Sequence, residues 1–99
     1  MTRTEIEKTR KQIKSNIAIL IAKLNDDSKR FYGTFAKNLS SVSIGMLIYE
    51  WIGVLNEYTE DTYISLQENY SILTDLQRLH QQLLQLDVLE QGLKVYEQI

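Results

Sequence analysis

The sequence predicts an all-α protein, an antiparallel four-helix bundle with a long or extended C-terminal helix. Three observations point there. No Pro occurs in the 99 residues, and proline is the residue that most strongly breaks helix interiors. Only four Gly are present, which leaves few sites for hairpin turns. Apolar side chains recur at steps of three and four in several separate stretches, the period of a helix face rather than the alternation of a strand. At this length the chain is a single domain, residues 1–99, with room for a modest core. The absence of Cys excludes a disulfide scaffold, a thiol redox centre and a zinc finger.

The first helix is expected to begin near Thr4, because Thr4-Glu5-Ile6-Glu7 fits a capping box in which a hydroxyl takes a free amide and an acid reaches back. Ile6, Ile13, Ile17, Leu20, Ile21 and Leu24 then share one face. Lys8, Arg10, Lys11 and Lys14 lie mostly off it. Asn25-Asp26-Asp27-Ser28 should stop this helix and cap the next. The second helix reads as roughly Lys29 to Leu39, with a stripe of Phe31, Phe35 and Leu39 flanked by Tyr32 and Ala36. Gly33 inside it costs about 1 kcal/mol relative to Ala, so this helix is expected to be the least stable. Ser40-Ser41-Val42-Ser43 offers caps for the third.

The third helix is the most apolar part of the chain. Ile44, Leu47, Ile48, Trp51, Ile52 and Leu55 repeat at three and four. Residues 42–55 give 14 largely apolar positions interrupted by Glu50, whereas a membrane span needs about 20. A buried helix is therefore expected. The connection Glu57-Tyr58-Thr59-Glu60-Asp61-Thr62 is polar, and Ser65-Leu66-Gln67-Glu68 reads as a second capping box opening the fourth helix. Ile72, Leu76, Leu79, Leu83, Leu86 and Leu93 form its seam, with Glu90 taking one turn, and Leu73, Leu84, Leu89 and Tyr96 widen the stripe. Gly92 is a weak point and Asp87 a local cap candidate. The helix is either long or ends near Leu86 with a separate helical tail.

Charge is divided unevenly. Residues 1–38 carry nine Lys/Arg and four Asp/Glu, and residues 39–99 carry two Lys/Arg and nine Asp/Glu. With a total of −2, a basic half packing beside an acidic half is the expected outcome. Nucleic acid is not an expected partner, since its binders show a basic balance over the whole domain. Weak attraction of the first helix to anionic lipid head groups is compatible with its lysines. The basic residues at the start are interleaved with Glu5 and Glu7, and no small-residue cleavage site follows Ile17–Leu24, so no secretory signal is read and a cytoplasmic location is expected.

Chemistry is sparse. His80 is the only histidine, and the residue three before it is Gln77, a poor ligand where helical di-metal sites place Glu. No metal, cofactor or catalytic site is expected. There is no Cys nucleophile, no Gly-x-Ser-x-Gly elbow and no Gly-rich phosphate loop, so the chain does not read as an enzyme. Binding is left. The leucine seam Leu76, Leu79, Leu83 and Leu86 would suit a generic assembly protein forming a homodimer. The six Tyr suit positions with one apolar and one wet side. The candidate partner-binding stripe is Leu89, Leu93, Lys94 and Tyr96, where the C-terminal segment has the least core to cover it.

Two resemblances follow from these segments. Ile17–Leu24 running into Asp26-Asp27, Ser41-Val42 followed by Ile44–Leu55, and Ser65-Leu66-Gln67-Glu68-Asn69 together resemble the immunity proteins of pediocin-like (class IIa) bacteriocins, the enterocin A immunity family. That resemblance implies an antiparallel four-helix bundle in the cytoplasm of a Gram-positive producer. It implies protection of the cell from its own bacteriocin by recognition of a membrane receptor complex, the mannose phosphotransferase permease with bound bacteriocin. The C-terminal half of the family decides which bacteriocin is countered, which here corresponds to the region from Ser65 onward. Trp51-Ile52-Gly53 resembles the WXG100 family of small secreted helical hairpins of type VII secretion systems. That resemblance implies a turn at Trp51, whereas the helical periodicity here runs through it. The residues four after Tyr58, Tyr63 and Tyr70 are Thr62, Gln67 and Thr74, so that family's acidic export position is not met.

Overall fold

The computed structural model describes residues 1–55 and 60–97, and they form five α-helices and one 3₁₀ turn. The molecule is elongated, 56 × 24 × 16 Å. The first helix, α1, spans Arg3–Ala22. Its cap is Thr2 and not Thr4. Thr2 has extended backbone, its Oγ1 accepts the Glu5 N–H at 3.2 Å, and its hydroxyl donates to Glu5 Oε1 at 3.1 Å. The Thr-x-x-Glu spacing of a capping box is met two residues earlier than expected.

Asn25 caps α2, Asp26–Phe35, by accepting the Ser28 N–H at 2.8 Å. The helix therefore starts three residues before Lys29, with Asp26 and Asp27 in its first turn, where the macrodipole favours acids. It ends in a 3₁₀ turn, Ala36–Asn38, that delivers Leu39 into the core. Ser43 then opens α3, Ile44–Leu55, its Oγ accepting the Met46 N–H at 3.3 Å. The span matches the periodicity, and Trp51 is buried inside the helix. The turn at Trp51 that a helical hairpin would require is not formed. Of the apolar face read for this helix, the side chain of Leu55 lies outside the described residues, as do Glu57, Tyr58 and Thr59 of the connection that follows.

The expected fourth helix is two. α4 spans Glu60–Glu68 and α5 spans Tyr70–Glu97. Ser65 lies inside α4, so Ser65-Leu66-Gln67-Glu68 is not a helix start. Glu60 and Asp61 already supply the acids of the first turn, and Glu60–Thr62 are helical rather than connecting coil. α5 continues unbroken through Gly92, which selects the long helix over a separate tail. At 28 residues and 1.5 Å per residue it is about 42 Å long.

The break at Asn69 has a local cause. Asn69 Oδ1 accepts the backbone N–H of Asn25 at 2.7 Å. Asn25 Nδ2 donates in return to the Ser65 carbonyl at 2.9 Å, one of the four carbonyls that the end of α4 leaves without a full helical partner. The Leu73 N–H then bonds the Asn69 carbonyl at 2.9 Å and starts the next ladder. One asparagine thus caps α2 and ties the start of α2 to the α4–α5 joint.

The longest helix contact is α1 against α5. They run antiparallel, since Arg10 meets Asp87 and Glu90 while Asn16 and Leu20 share a groove with Asp75 and Leu79. Ile6, Ile13 and Ile17 of α1 are buried with Leu73, Leu76, Leu79 and Leu86 of α5. The leucine seam that would have served a coiled-coil dimer is therefore spent inside the molecule, with Leu76 at 0% exposure and Leu83 packed on the core. α2, α3 and α4 complete the core with Phe31, Phe35, Ile44, Leu47, Trp51 and Leu66. Phe31 is its centre, 5.2 Å from the Phe35 ring and 5.5 Å edge-on from Trp51.

Replacing Asn25 with Ala removes the α2 cap and the bond to the Ser65 carbonyl, and keeps the backbone N–H that Asn69 accepts. We expect a loss of about 2 kcal/mol in urea unfolding, and about 1 kcal/mol for Asn69→Ala. The double variant should cost close to the sum of the two, because the Asn25 side chain and the Asn69 side chain make separate bonds. A loss well short of the sum would show that these bonds are not independent.

Candidate functional site

α5 divides along its length. In its first half the helix is held from several sides. The Gln77 side-chain amide donates to the Val42 carbonyl, and His80 Nε2 lies 2.8 Å from the Tyr32 hydroxyl of α2. In the second half, the inter-helix bonds come from α1. Arg10 reaches Asp87 at 3.0 Å and also pairs with Glu90. Its hydrogen bond and charge hold the Glu90 carboxyl below the ordinary value of 4.5. Asp87 is thus an ion-pair partner rather than a local cap.

With α1 covering only one side, the other side of this half remains open. Leu84 and Leu89 are 49% exposed, Val88 62%, Val95 61% and Tyr96 79%. Leu84, Gln85, Val88 and Leu89 together line one shallow depression on the helix surface. Such a contiguous apolar patch marks an interaction surface in most proteins. The stripe read from the sequence is split by this geometry. Leu89, Lys94 and Tyr96 are exposed, whereas Leu93 is half-buried and packs on the core. Leu84, expected beside the seam, points outward. Leu84, Val88 and Val95 were missed because the residues of the seam and those of the outer face interleave along the sequence. The signal that separates them is phase. Leu84, Val88 and Val95 recur at four and seven, out of step with Leu79, Leu83 and Leu86.

The remaining exposed aromatic side chains are dispersed. Tyr49 is 80% exposed on α3, near Met46, while Tyr63 and Tyr70 lie at either side of the α4–α5 joint; Tyr58 lies outside the described residues. Tyr32 is the exception, half-buried against His80 with ring centroids 5.7 Å apart. Burial pushes the Tyr32 phenol up and the His80 imidazole down from their ordinary values. His80 is therefore a structural hydrogen-bond partner, a role the sequence alone did not disclose. Among the described residues no three His, Asp or Glu side chains gather to hold a metal ion, and no helix is long and apolar enough to cross a membrane. What this surface offers is apolar contact, with Lys94 beside it.

The chain matches no protein-family model, no curated protein and no solved structure.

Because burial lowers the His80 pKa from 6.5, the unfolded chain binds its proton first as pH falls. Stability should therefore decline as pH drops through 6.5 and level off below the lowered folded value. His80→Gln should flatten that segment of the stability profile in urea titrations between pH 5 and 8. Glu90 works in the opposite region. Its folded value lies below 4.5, so its contribution is complete above 4.5 and disappears as pH falls through the lowered value. Arg10→Gln should remove this acid-side loss, leaving the neutral-side segment unchanged.

Proposed function

We propose that the chain is a cytosolic bacteriocin immunity protein, a non-catalytic antiparallel four-helix bundle in which α4 and α5 act as one broken fourth element. It protects the producer cell by recognising the bacteriocin-occupied mannose phosphotransferase permease. The observation that carries the reading is the open apolar face on the C-terminal half of α5, in the region that this family uses for specificity. Leu89 and Tyr96, with Lys94 beside them, are the contacts proposed for the receptor complex. Leu93 supports them from the core side. The order of helices adds support, with Asp26-Asp27 after the aliphatic first helix, Ser41-Val42 before the apolar third, and Ser65 to Asn69 leading into the last. The exposed Lys8, Lys11 and Lys14 of α1 flank the same end of the molecule and suit an approach to the anionic inner leaflet.

Expression in a sensitive lactic acid bacterium should confer resistance to at least one peptide from a panel of pediocin-like bacteriocins. Leu89→Asp combined with Tyr96→Ala should abolish protection while helicity and unfolding midpoint stay close to those of the parent. Unchanged sensitivity to the whole panel would refute the assignment.

A further inference from the structure

We infer that the outer face of α5 between residues 81 and 95 is a self-association surface, on which a second copy of this chain packs antiparallel with Val88 at the two-fold axis. This goes beyond the immunity reading and does not depend on it. The argument starts from charge. In an interface between identical copies related by a two-fold, each patch meets itself, so a charge near the centre faces its like. Along this face Leu84, Val88 and Val95 alternate with Gln81, Gln85 and Gln91, all exposed, and none is ionisable. The flanking charges lie off this face: Asp87 pairs with Arg10, Lys94 sits beside Val95, and Arg78 lies a turn before Gln81. A chain that is 24% charged thus keeps about four turns of one exposed helix face neutral.

Register supplies the second argument. The steps of this face alternate between three and four, as an interhelical seam requires, and the pattern is symmetric about Val88. In an antiparallel pair centred there, Val88 meets its own counterpart. Gln85 meets Gln91, whose amides can bond each other, and Gln81 meets Val95. Leu84 meets Gly92. Glycine weakens a helix interior relative to alanine, and nothing inside the molecule requires it here, since a Cβ at Gly92 would find no atom within 4 Å. The bare backbone at Gly92 instead forms a hollow opposite Leu84, large against small on each side of the axis.

Area gives the third. At their fractional exposures, Leu84, Val88, Leu89, Val95 and Tyr96 leave on the order of 600 Å² open, at the top of what a monomer exposes in one patch. Two such faces, wholly covered, give at most about 1,200 Å², the lower edge of specific interfaces. The dimer is therefore weak and reversible, with Leu89 and Tyr96 at its edge.

Sedimentation equilibrium of the full chain across micromolar to millimolar concentrations tests this. The mass should rise from 11.6 kDa toward twice that value. Val88→Lys should weaken association at least tenfold with unchanged helicity. Gly92→Leu should also weaken it while raising helicity, because it fills the hollow that Leu84 needs. Since the chain has no Cys, single-cysteine variants report the register. Val88→Cys should cross-link faster than Leu84→Cys or Val95→Cys under mild oxidation. A monomer at every concentration would overturn the proposal, as would equal cross-linking at the three positions or undiminished association in Gly92→Leu.

Discussion

The antiparallel packing of α1 on α5 decides which side chains remain for anything else. Ile6, Ile13 and Ile17 bury the leucine row of α5, and a row buried within one chain has no free energy left to offer a second. Each large aliphatic side chain removed from water contributes about 1.5–3 kcal/mol, so this seam outweighs the surface ion pairs that accompany it. Arg10 adds direction instead. By engaging both Asp87 and Glu90 it fixes the rotation of α5 about its own axis, and that rotation sends Leu84, Val88 and Val95 outward. At this pairing one arginine of the basic first half meets two acids of the acidic second half.

At the other end of the molecule, geometry depends on backbone bonds rather than on area. Asn25 satisfies the free amides of α2 and the last carbonyls of α4 from one position, with Asn69 closing the arrangement. These partners stand 40 and 44 residues away. A joint of this kind cannot form before α2, α4 and α5 are all in place, so it reports completed assembly and does not nucleate it. Phe31 and Trp51, packed edge-on, anchor the core. The buried hydroxyl of Ser28 and the buried indole N–H of Trp51 have no hydrogen-bond partner among the described residues, which offsets part of what that anchor contributes.

How much of this was legible in the sequence follows from range. Local signals locate elements to within two or three residues, as the early starts of α1 and α2 show. The apolar spacing of Ile44 to Leu55 gave both ends of α3, and Asn25 was recognisable as a stop and a cap. Ser65-Leu66-Gln67-Glu68 misled because a capping box is only a pattern of residue types, and the same pattern fits the last turns of a helix already under way. The break at Asn69 has no local signature, since its cause is Asn25 across the fold. His80 was read as a flanking residue because its partner Tyr32 is 48 positions away. The stripe Leu89, Leu93, Lys94 and Tyr96 is divided for a related reason, with Leu93 packed on the core. Exposure at the end of α5 depends on which sides α1 covers, and periodicity within one helix cannot say which of its two apolar rows a neighbour will take.

Two apolar rows on one helix place the molecule under a constraint that charge alone does not relieve. The inner row needs Ile and Leu at steps of three and four to hold α1. An outer row with the same chemistry could compete for α1 in a rotated arrangement, exchanging one face for the other. The sequence separates them by side-chain type. Inside are Leu76, Leu79 and Leu86, fully apolar and large. Outside, Leu84 is as large as the inner leucines, but Val88 and Val95 are smaller, Gly92 offers no side chain, and Gln81, Gln85 and Gln91 would each cost an unsatisfied amide if buried against isoleucine. Arg10 adds a second penalty to the rotated state, because turning the outer row inward would carry Asp87 and Glu90 away from it. The outer face can thus remain apolar enough to bind a partner without displacing the core, and the glutamines that make it a poor match for α1 are the same groups that a polar-tolerant, weakly held partner can satisfy.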